Sequence, residues 1–436
     1  MAKAGEVRQQ FRRSLRCGTG RAYLLMRGHA GVDFSADLIK AARTNYAHDK
    51  QCEGDRAEYV AGLIELSGRK DKIVERVLEA LVQERQDGWG LDQMFSLARI
   101  WAGEGNETAR RAMYRRYRRK PIKGFAWAGE MDIVELDGLA GLLFIAQRRG
   151  AALLADAADY EDSMLVDAYE RDHPGVDVYG ALRKASRGDR AVGKYLESIR
   201  QHKLEVRDTK RKPGPKRFSY EQMKEVLDSP GKCAPFRITR ARWLTKRDLR
   251  RVADDFLRER DPAMLRRYLT VFVFREYPYD YHALLKIAMG RNDRKYQLVE
   301  RACRALRYFQ GEDIRRFAIA KLKVTNRPED YLQLLVSNYR QGDVRLLARI
   351  ADRYRSEDTI HGLAHAFSDI YEENSTRECR RPLEILYEKL TCSLCRYSHL
   401  MIMHNNGVLS RRILREMEFD NDKETRELYR KITGAD

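Results

Sequence analysis

Along most of the chain, apolar residues recur at steps of three and four, the period of a helix with one buried face. At 55–67, Tyr59, Val60, Leu63 and Ile64 share such a face. At 71–84 it is Ile73, Val74, Val77, Leu78 and Leu81, and at 91–102 it is Met94, Phe95, Leu97, Ala98 and Trp101. Turn-forming clusters such as Ser67-Gly68 and Gly103-Glu104-Gly105-Asn106 separate the runs. No convincing two-residue alternation marks a strand. The β-branched and aromatic stretch 270–275 continues a helical pattern from Leu265 and Leu269. An all-α chain of successive short helices is therefore expected from about residue 34 onward.

Ahead of residue 34, Val7, Phe11 and Leu15 fall four apart among Arg8, Arg12, Arg13 and Arg16, with Glu6 the only acid before Asp33. A transit peptide has this pattern, and so does a basic surface helix docked on a helical array. The docked helix is the preferred reading, because no adequate apolar core of a secretory signal follows. The helical pattern breaks at 202–217, where KRKPGPKR at 210–217 places Pro213, Gly214 and Pro215 in sequence and no regular helix interior tolerates them. The expected organisation is a basic cap (1–33), a first helical region (34–201), a basic linker or loop (202–217) and a second helical region (218–436).

The second region contains an internal echo. Asp280-Tyr281, Leu284-Leu285 and Asp293 recur fifty residues later as Asp330-Tyr331, Leu334-Leu335 and Asp343, and Phe317 and Phe367 keep the same offset. A fixed period in a helical chain points to stacked repeats, here of about three helices each. Ile314-Arg315-x-x-Ala318-x-x-x-Leu322 resembles the second helix of a HEAT repeat. Asp343-Val344-Arg345-x-x-Ala348 is a partial copy, and 422–426 (Asp-Lys-Glu-Thr-Arg) is similar again. In the resemblance the Ile or Val and Ala pack between repeats and Arg lies at the seam. It is clearest over about 280–432 and fainter over 34–200. It implies an α-solenoid of HEAT/armadillo-like repeats, an architecture typical of scaffolds that bind proteins or nucleic acids on a concave surface, with no particular activity attached.

The net charge of +19 over 436 residues adds a partner class. Residues 201–250 carry 15 Lys and Arg against 6 Asp and Glu, so almost half the excess sits in about a ninth of the chain. Three stretches concentrate it. In RRAMYRRYRRK at 110–120, Ala109, Ala112, Met113 and Tyr117 form the expected core stripe and leave Arg111, Arg115, Arg118 and Arg119 open. The second stretch supplies Lys210, Arg211, Lys212, Lys216 and Arg217; it faintly resembles an AT-hook, with Pro-Gly-Pro where that motif has Arg-Gly-Arg-Pro. The third places Arg237, Arg240, Arg242, Lys246, Arg247, Arg250 and Arg251 around Trp243. Clustered cations of this kind are the footprint of nucleic-acid binding through phosphates, without sharp sequence preference. The alternatives are solvated charged faces, or a groove that grips a protein partner.

Catalytic signatures are sparse. No GxxxxGK[ST], GxSxG, HExxH or EF-hand loop occurs, and Gly18-Thr19-Gly20 is too short for a dinucleotide loop. No cofactor is called for. Helical-repeat DNA glycosylases show that such arrays include enzymes; Trp127 with Asp132, and Trp243, are the nearest candidates here, set against burial of the tryptophans between helices. Cys392-x-x-Cys395 with His399 and His404 has metal-ligating chemistry, yet its spacing is too short for a zinc finger and fits cysteines buried in the core. His361, His365 and Asp369, with Glu372 or Glu373 beyond, form one stripe opposite Leu363, Phe367, Ile370 and Tyr371, the look of a solvated polar face. Seven dispersed cysteines and no run of ~18 apolar residues are consistent with reduced thiols, a cytoplasmic location and no membrane partner.

Overall fold

The computed structural model describes residues 2–54, 56–156, 161–208, 217–229, 237–291 and 295–435. Among them are 24 α-helices and four short 3-10 turns, with no strand; the protein is all-α. Two compact units divide the chain, one comprising 1–212 with 414–436 and the other 213–413.

In the first unit the helix Ala2–Cys17 buries Val7, Phe11 and Leu15. The Phe11 ring packs, tilted, 4.2 Å from Phe34 and Arg12 pairs with Asp37 at 2.7 Å, so this basic helix is docked. The helices Ala57–Leu66, Lys70–Gln83 and Gly88–Gly103 bury the faces that their periodicity marks. Gly18-Thr19-Gly20 proves to be a packing site for the C-terminal segment. Asn421 N–H donates to the Gly18 carbonyl at 2.9 Å, Gly18 takes a left-handed φ of +78°, and a Cβ on Gly20 would overlap the Glu416 carbonyl oxygen. Phe419 stacks on Tyr23 and lies beneath the Arg27 guanidinium.

The helix Glu130–Ala155 is kinked at Gly138 (φ 56°, ψ −133°), a conformation open to glycine. Of the described helices it alone is long and apolar enough to cross a membrane by length and composition. It buries Ile133, Val134, Leu142, Ile145 and Leu153 and packs along the helix Arg190–Asp208. That partner helix corrects the expected boundary. Residues 202–208 continue it instead of opening a linker, because no helix breaker occurs before Pro213. Residues 209–216 lie outside the described residues.

In the second unit the stretch 270–275 lies mostly in the helix Pro262–Phe274, which buries Thr270, Val271 and Phe272. From residue 282 helices come in pairs: His282–Ala288 with Leu298–Ala305, Glu312–Val324 with Pro328–Leu332, Val344–Arg353 with Glu357–Glu373, and Arg380–Tyr387 with Ser393–Asn405. The second helices of successive pairs pack on one another, and Val344–Arg353 packs on Arg380–Tyr387. Carbonyls left open where helices and turns end are taken up by the following pair: Asn338 donates to Phe309 O at 2.8 Å, Asn374 to Val336 O at 2.7 Å and Lys389 to Ala351 O at 2.7 Å.

These pairs correct the fifty-residue echo. They begin at 282, 312, 344 and 380, so the spacing is 30 to 36 residues and each unit holds two helices. The matched letters occupy unlike places: Asp280 is exposed and Asp330 buried, and Phe317 is half-buried where Phe367 is fully buried. Asp293 lies outside the described residues. Of the three HEAT-like arginines only Arg315 reaches an acid of the next pair, Asp343, in a two-pronged ion pair at 2.7 and 2.8 Å. Ile314, Ala318 and Leu322 are buried beneath it. Arg345 is exposed, and Arg426 donates to the carbonyls of Asp420 and Asn421.

Candidate nucleic-acid interface

The arginine-rich helix Glu107–Tyr117 starts where the Asn106 side chain accepts the Ala109 N–H. Ala109, Ala112 and Met113 are buried, and Tyr117, half-buried, donates its hydroxyl to Glu130 at 2.6 Å. Arg111, Arg115, Arg118 and Arg119 all line one wall of an open groove of about 1000 Å³. They are not equally available. Arg119 donates to the Val82 carbonyl at 2.7 Å, and Arg118 lies over the rings of Tyr114 and Phe144. The opposite wall, on Lys70–Gln83, brings Asp71, Glu75 and Glu79. Sequence reasoning missed those acids because they belong to another helix. Neighbouring Arg110 is tied to Asp137 at 2.9 Å, and buried Arg116 has its pKa lowered by burial and then by Arg119.

In the second unit the cations gather around the 3-10 turn Thr239–Trp243 and the helix Lys246–Arg258, whose N-cap Thr245 accepts the Asp248 N–H. Ala241 and Leu244 anchor the turn in the core, as Leu249 and Val252 anchor the helix. The backbone at Trp243 is braced from two sides. Phe218 N–H donates to Trp243 O at 3.4 Å, and Arg275 donates to Arg242 O at 2.9 Å and Leu244 O at 3.1 Å. The indole itself stays 50% exposed, which corrects the expectation of burial between helices: a short turn fixed through its backbone leaves the side chain outside.

Arg217, Arg242, Lys246 and Arg247 are exposed and Arg237 and Arg240 half-buried. Arg240 lies over Phe218 and Arg242 over Phe274. None of these six forms an ion pair among the described residues. Arg251 is withdrawn from the set, paired with Glu221 at 2.7 Å and stacked on Tyr220. Lys210, Arg211, Lys212 and Lys216 lie outside the described residues. The buttresses Phe218 and Arg275 carried no sequence signal.

Trp127 is also open, 41% exposed, in an aromatic cluster with Trp89 and Phe125 at 5.6 and 5.7 Å. Asp132 is buried and ion-paired with Arg99 at 3.2 Å.

The histidine and cysteine stripes, separate in sequence, meet in space. His361 and His365 stand one turn apart on Glu357–Glu373, against Cys395 in the first turn of Ser393–Asn405. The stripe keeps its solvent access, with His365 exposed and His361 half-buried, while packing of these two helices also brings it against sulfur. Cys392 and Cys395 are buried, as expected. Hydrogen bonding with Cys395, and then with His361, holds the Cys392 thiol well below the ordinary thiol range against the opposing effect of burial. Fully buried His399 bonds to Ala364 O at 3.1 Å, and burial pushes it down to about 4. Asp369 is taken by Arg307 at 3.1 Å and Gln333 at 3.0 Å, and His404 is exposed.

The fold and these surfaces define an all-helical protein with a concentration of arginine in each of its two units. No protein-family model matches the chain, and no curated protein matches it.

Proposed function

We propose that this chain is a helical-repeat binding protein, HEAT-like in its second unit, that engages nucleic acid through the basic surface around Trp243 without sharp sequence preference. The observation that carries the reading is a half-exposed indole on a braced turn, close in sequence to six cations that form no ion pair among the described residues. A base stacks on such a ring whatever its identity, and phosphates meet the surrounding charge. The repeat architecture is supported by the helix pairs that succeed one another from residue 282, with second helix on second helix, and by the Arg315–Asp343 bridge between pairs. Free cysteines at positions 17, 52, 303, 379, 392 and 395 accord with a cytoplasmic setting.

The groove in the first unit favours a second reading, a scaffold for a protein partner. Arg111, Arg115 and Arg118 face Asp71, Glu75 and Glu79; a segment carrying both charges matches such a groove better than a polyanion does. A base-excision glycosylase is less well supported, since Asp132 is engaged by Arg99.

The test is equilibrium binding of fluorescent single-stranded DNA, RNA and duplex DNA across a salt series. Tight binding is expected, with a log–log salt slope of about 0.7 per phosphate contact on single strands and about 0.9 on duplex. Trp243→Ala should weaken single-strand binding by roughly 5- to 150-fold, the loss of one stacked base. Neutralising Arg242, Lys246 and Arg247 should flatten the slope, and a second variant neutralising Lys210, Arg211, Lys212, Lys216 and Arg217 measures the preceding run. No binding at low salt, or binding indifferent to these changes, overturns the reading; capture of a mixed-charge peptide instead supports the scaffold.

A further inference from the structure

We propose that His361, His365, Cys392 and Cys395 form a transition-metal site, with Zn²⁺ as the expected occupant, that joins the helix Glu357–Glu373 to the helix Ser393–Asn405. The site stands independently of nucleic-acid binding.

Geometry is the first support. One ligand atom each from His361, His365 and Cys395 lies within 4.8 Å of the other two. Cys395 Sγ is 3.7 Å from His365 Nε2. In a tetrahedral site with Zn–S of about 2.3 Å and Zn–N of about 2.0–2.1 Å, the N-to-S edge is about 3.6 Å, so this edge already has its metal-bound length. The Cys392 thiol accepts the Cys395 N–H at 3.5 Å, which makes it the neighbouring donor to complete the three. The two histidine rings stand edge to face at 89° with centroids 4.6 Å apart and do not stack flat.

Local structure explains why the donors converge. His361 and His365 are four apart, hence on one face of a helix. Cys392 is the N-cap of the second helix and accepts the Cys395 N–H at 3.5 Å, which folds both sulfurs onto the same end. Contact between the two helices then opposes the pairs. The donor set selects the ion: thiolate and imidazole together suit zinc and disfavour magnesium or calcium, which take oxygen ligands. Four protein ligands make a closed, structural site. His365 is exposed and gives the ion a way in. On binding, each thiol loses its proton to solvent and each imidazole binds through an unprotonated nitrogen. A redox-active CxxC would use the two sulfurs alone and leave the two histidines without a part.

The full chain, stripped with a chelator, is titrated with Co²⁺ and then Zn²⁺ under reducing conditions. One equivalent of Co²⁺ should produce the visible bands of tetrahedral cobalt with a near-ultraviolet thiolate-to-metal transition, and Zn²⁺ should bleach both. Native mass spectrometry should count one metal per chain. Cys395→Ser and His365→Ala should each weaken binding at least roughly 100-fold, taking the loss of a supporting partner as the lower bound. Cys52→Ser and Cys303→Ser should leave it unchanged. His365→Ala replaces an exposed side chain, so its fold, checked by circular dichroism, should survive even if Cys395→Ser does not. Substoichiometric metal, cobalt spectra without the thiolate band, or binding that persists in a folded His365→Ala overturns the site. A chain that loses two hydrogens at Cys392 and Cys395 in air, and takes no metal when reduced, assigns the pair to disulfide chemistry and overturns it as well.

Discussion

Removing the carboxylate of Asp343 should unfasten two helix pairs in the second unit. Asp343 Oδ2 accepts Arg315 Nη1 at 2.7 Å and the Arg340 N–H at 2.9 Å, and Oδ1 accepts Arg315 Nη2 at 2.8 Å. The side chains are 15% and 9% exposed, so little water replaces a lost partner. Arg315 keeps only its 2.8 Å bond to Asn338 O. Breaking a buried ion pair from one side costs about 3–5 kcal/mol. With 15% exposure the lower end applies, and Asp343→Ala should cost about 3 kcal/mol. The unit spans 213–413, and at this size each kcal/mol lowers Tm by about 2–4 °C, giving a drop of about 6–12 °C.

The assay is thermal and urea unfolding of the full chain as a double-mutant cycle with Asp343→Ala, Arg315→Met and Arg315→Met/Asp343→Ala. The double variant replaces both charges with apolar groups and should recover most of the loss, because the cost lies in stranding a charge and not in lacking the pair. If Asp343→Ala melts within a degree of the parent, or the double variant loses the sum of the two single changes, the bridge does not hold the pairs together.

Two further predictions concern other parts of the molecule. Gly20→Ala forces a Cβ into the Glu416 carbonyl and should cost about 1–3 kcal/mol of overpacking; limited proteolysis should release the segment after 414 faster than in the parent, and an unchanged digest would remove the clamp from the account. Burial pushes Asp330 up to about 6, opposed by Arg327 and reinforced by Glu300 and Glu329. Its folded pKa therefore exceeds the unfolded one. The stability it contributes is complete below the unfolded pKa near 4 and is lost as pH rises through about 6. Asp330→Asn should match the parent near pH 4 and exceed it by about 2–3 kcal/mol at pH 7, and parallel melting-temperature curves across that range would refute the assignment.

What could be read from the sequence follows a physical division. Helices and their buried faces were legible because they depend on residues three and four apart, so Val7, Phe11 and Leu15 or Ala109, Ala112 and Met113 give themselves away. Relations between helices were not. The acids facing Arg111 and Arg115 sit some forty residues earlier, on Lys70–Gln83. The spacing of the helix pairs was misread because identical letters, Asp280 and Asp330, occupy an exposed turn in one place and a buried helix in the other.

The histidine and cysteine motifs make the same point with chemistry attached. Each spacing alone is commonplace, and each has a bland explanation that is sound for an isolated helix. Those explanations treat the two motifs as independent, which they stop being once helices of successive pairs are required to pack second on second. A donor pair on one such helix then faces whatever its successor carries about one helix pair later. The histidines at 361 and 365 and the cysteines at 392 and 395 are separated by about that distance. The missing signal was therefore the spacing of the helix pairs: steps of 30 to 36 residues place CxxC opposite HxxxH, whereas steps of fifty place it nowhere near.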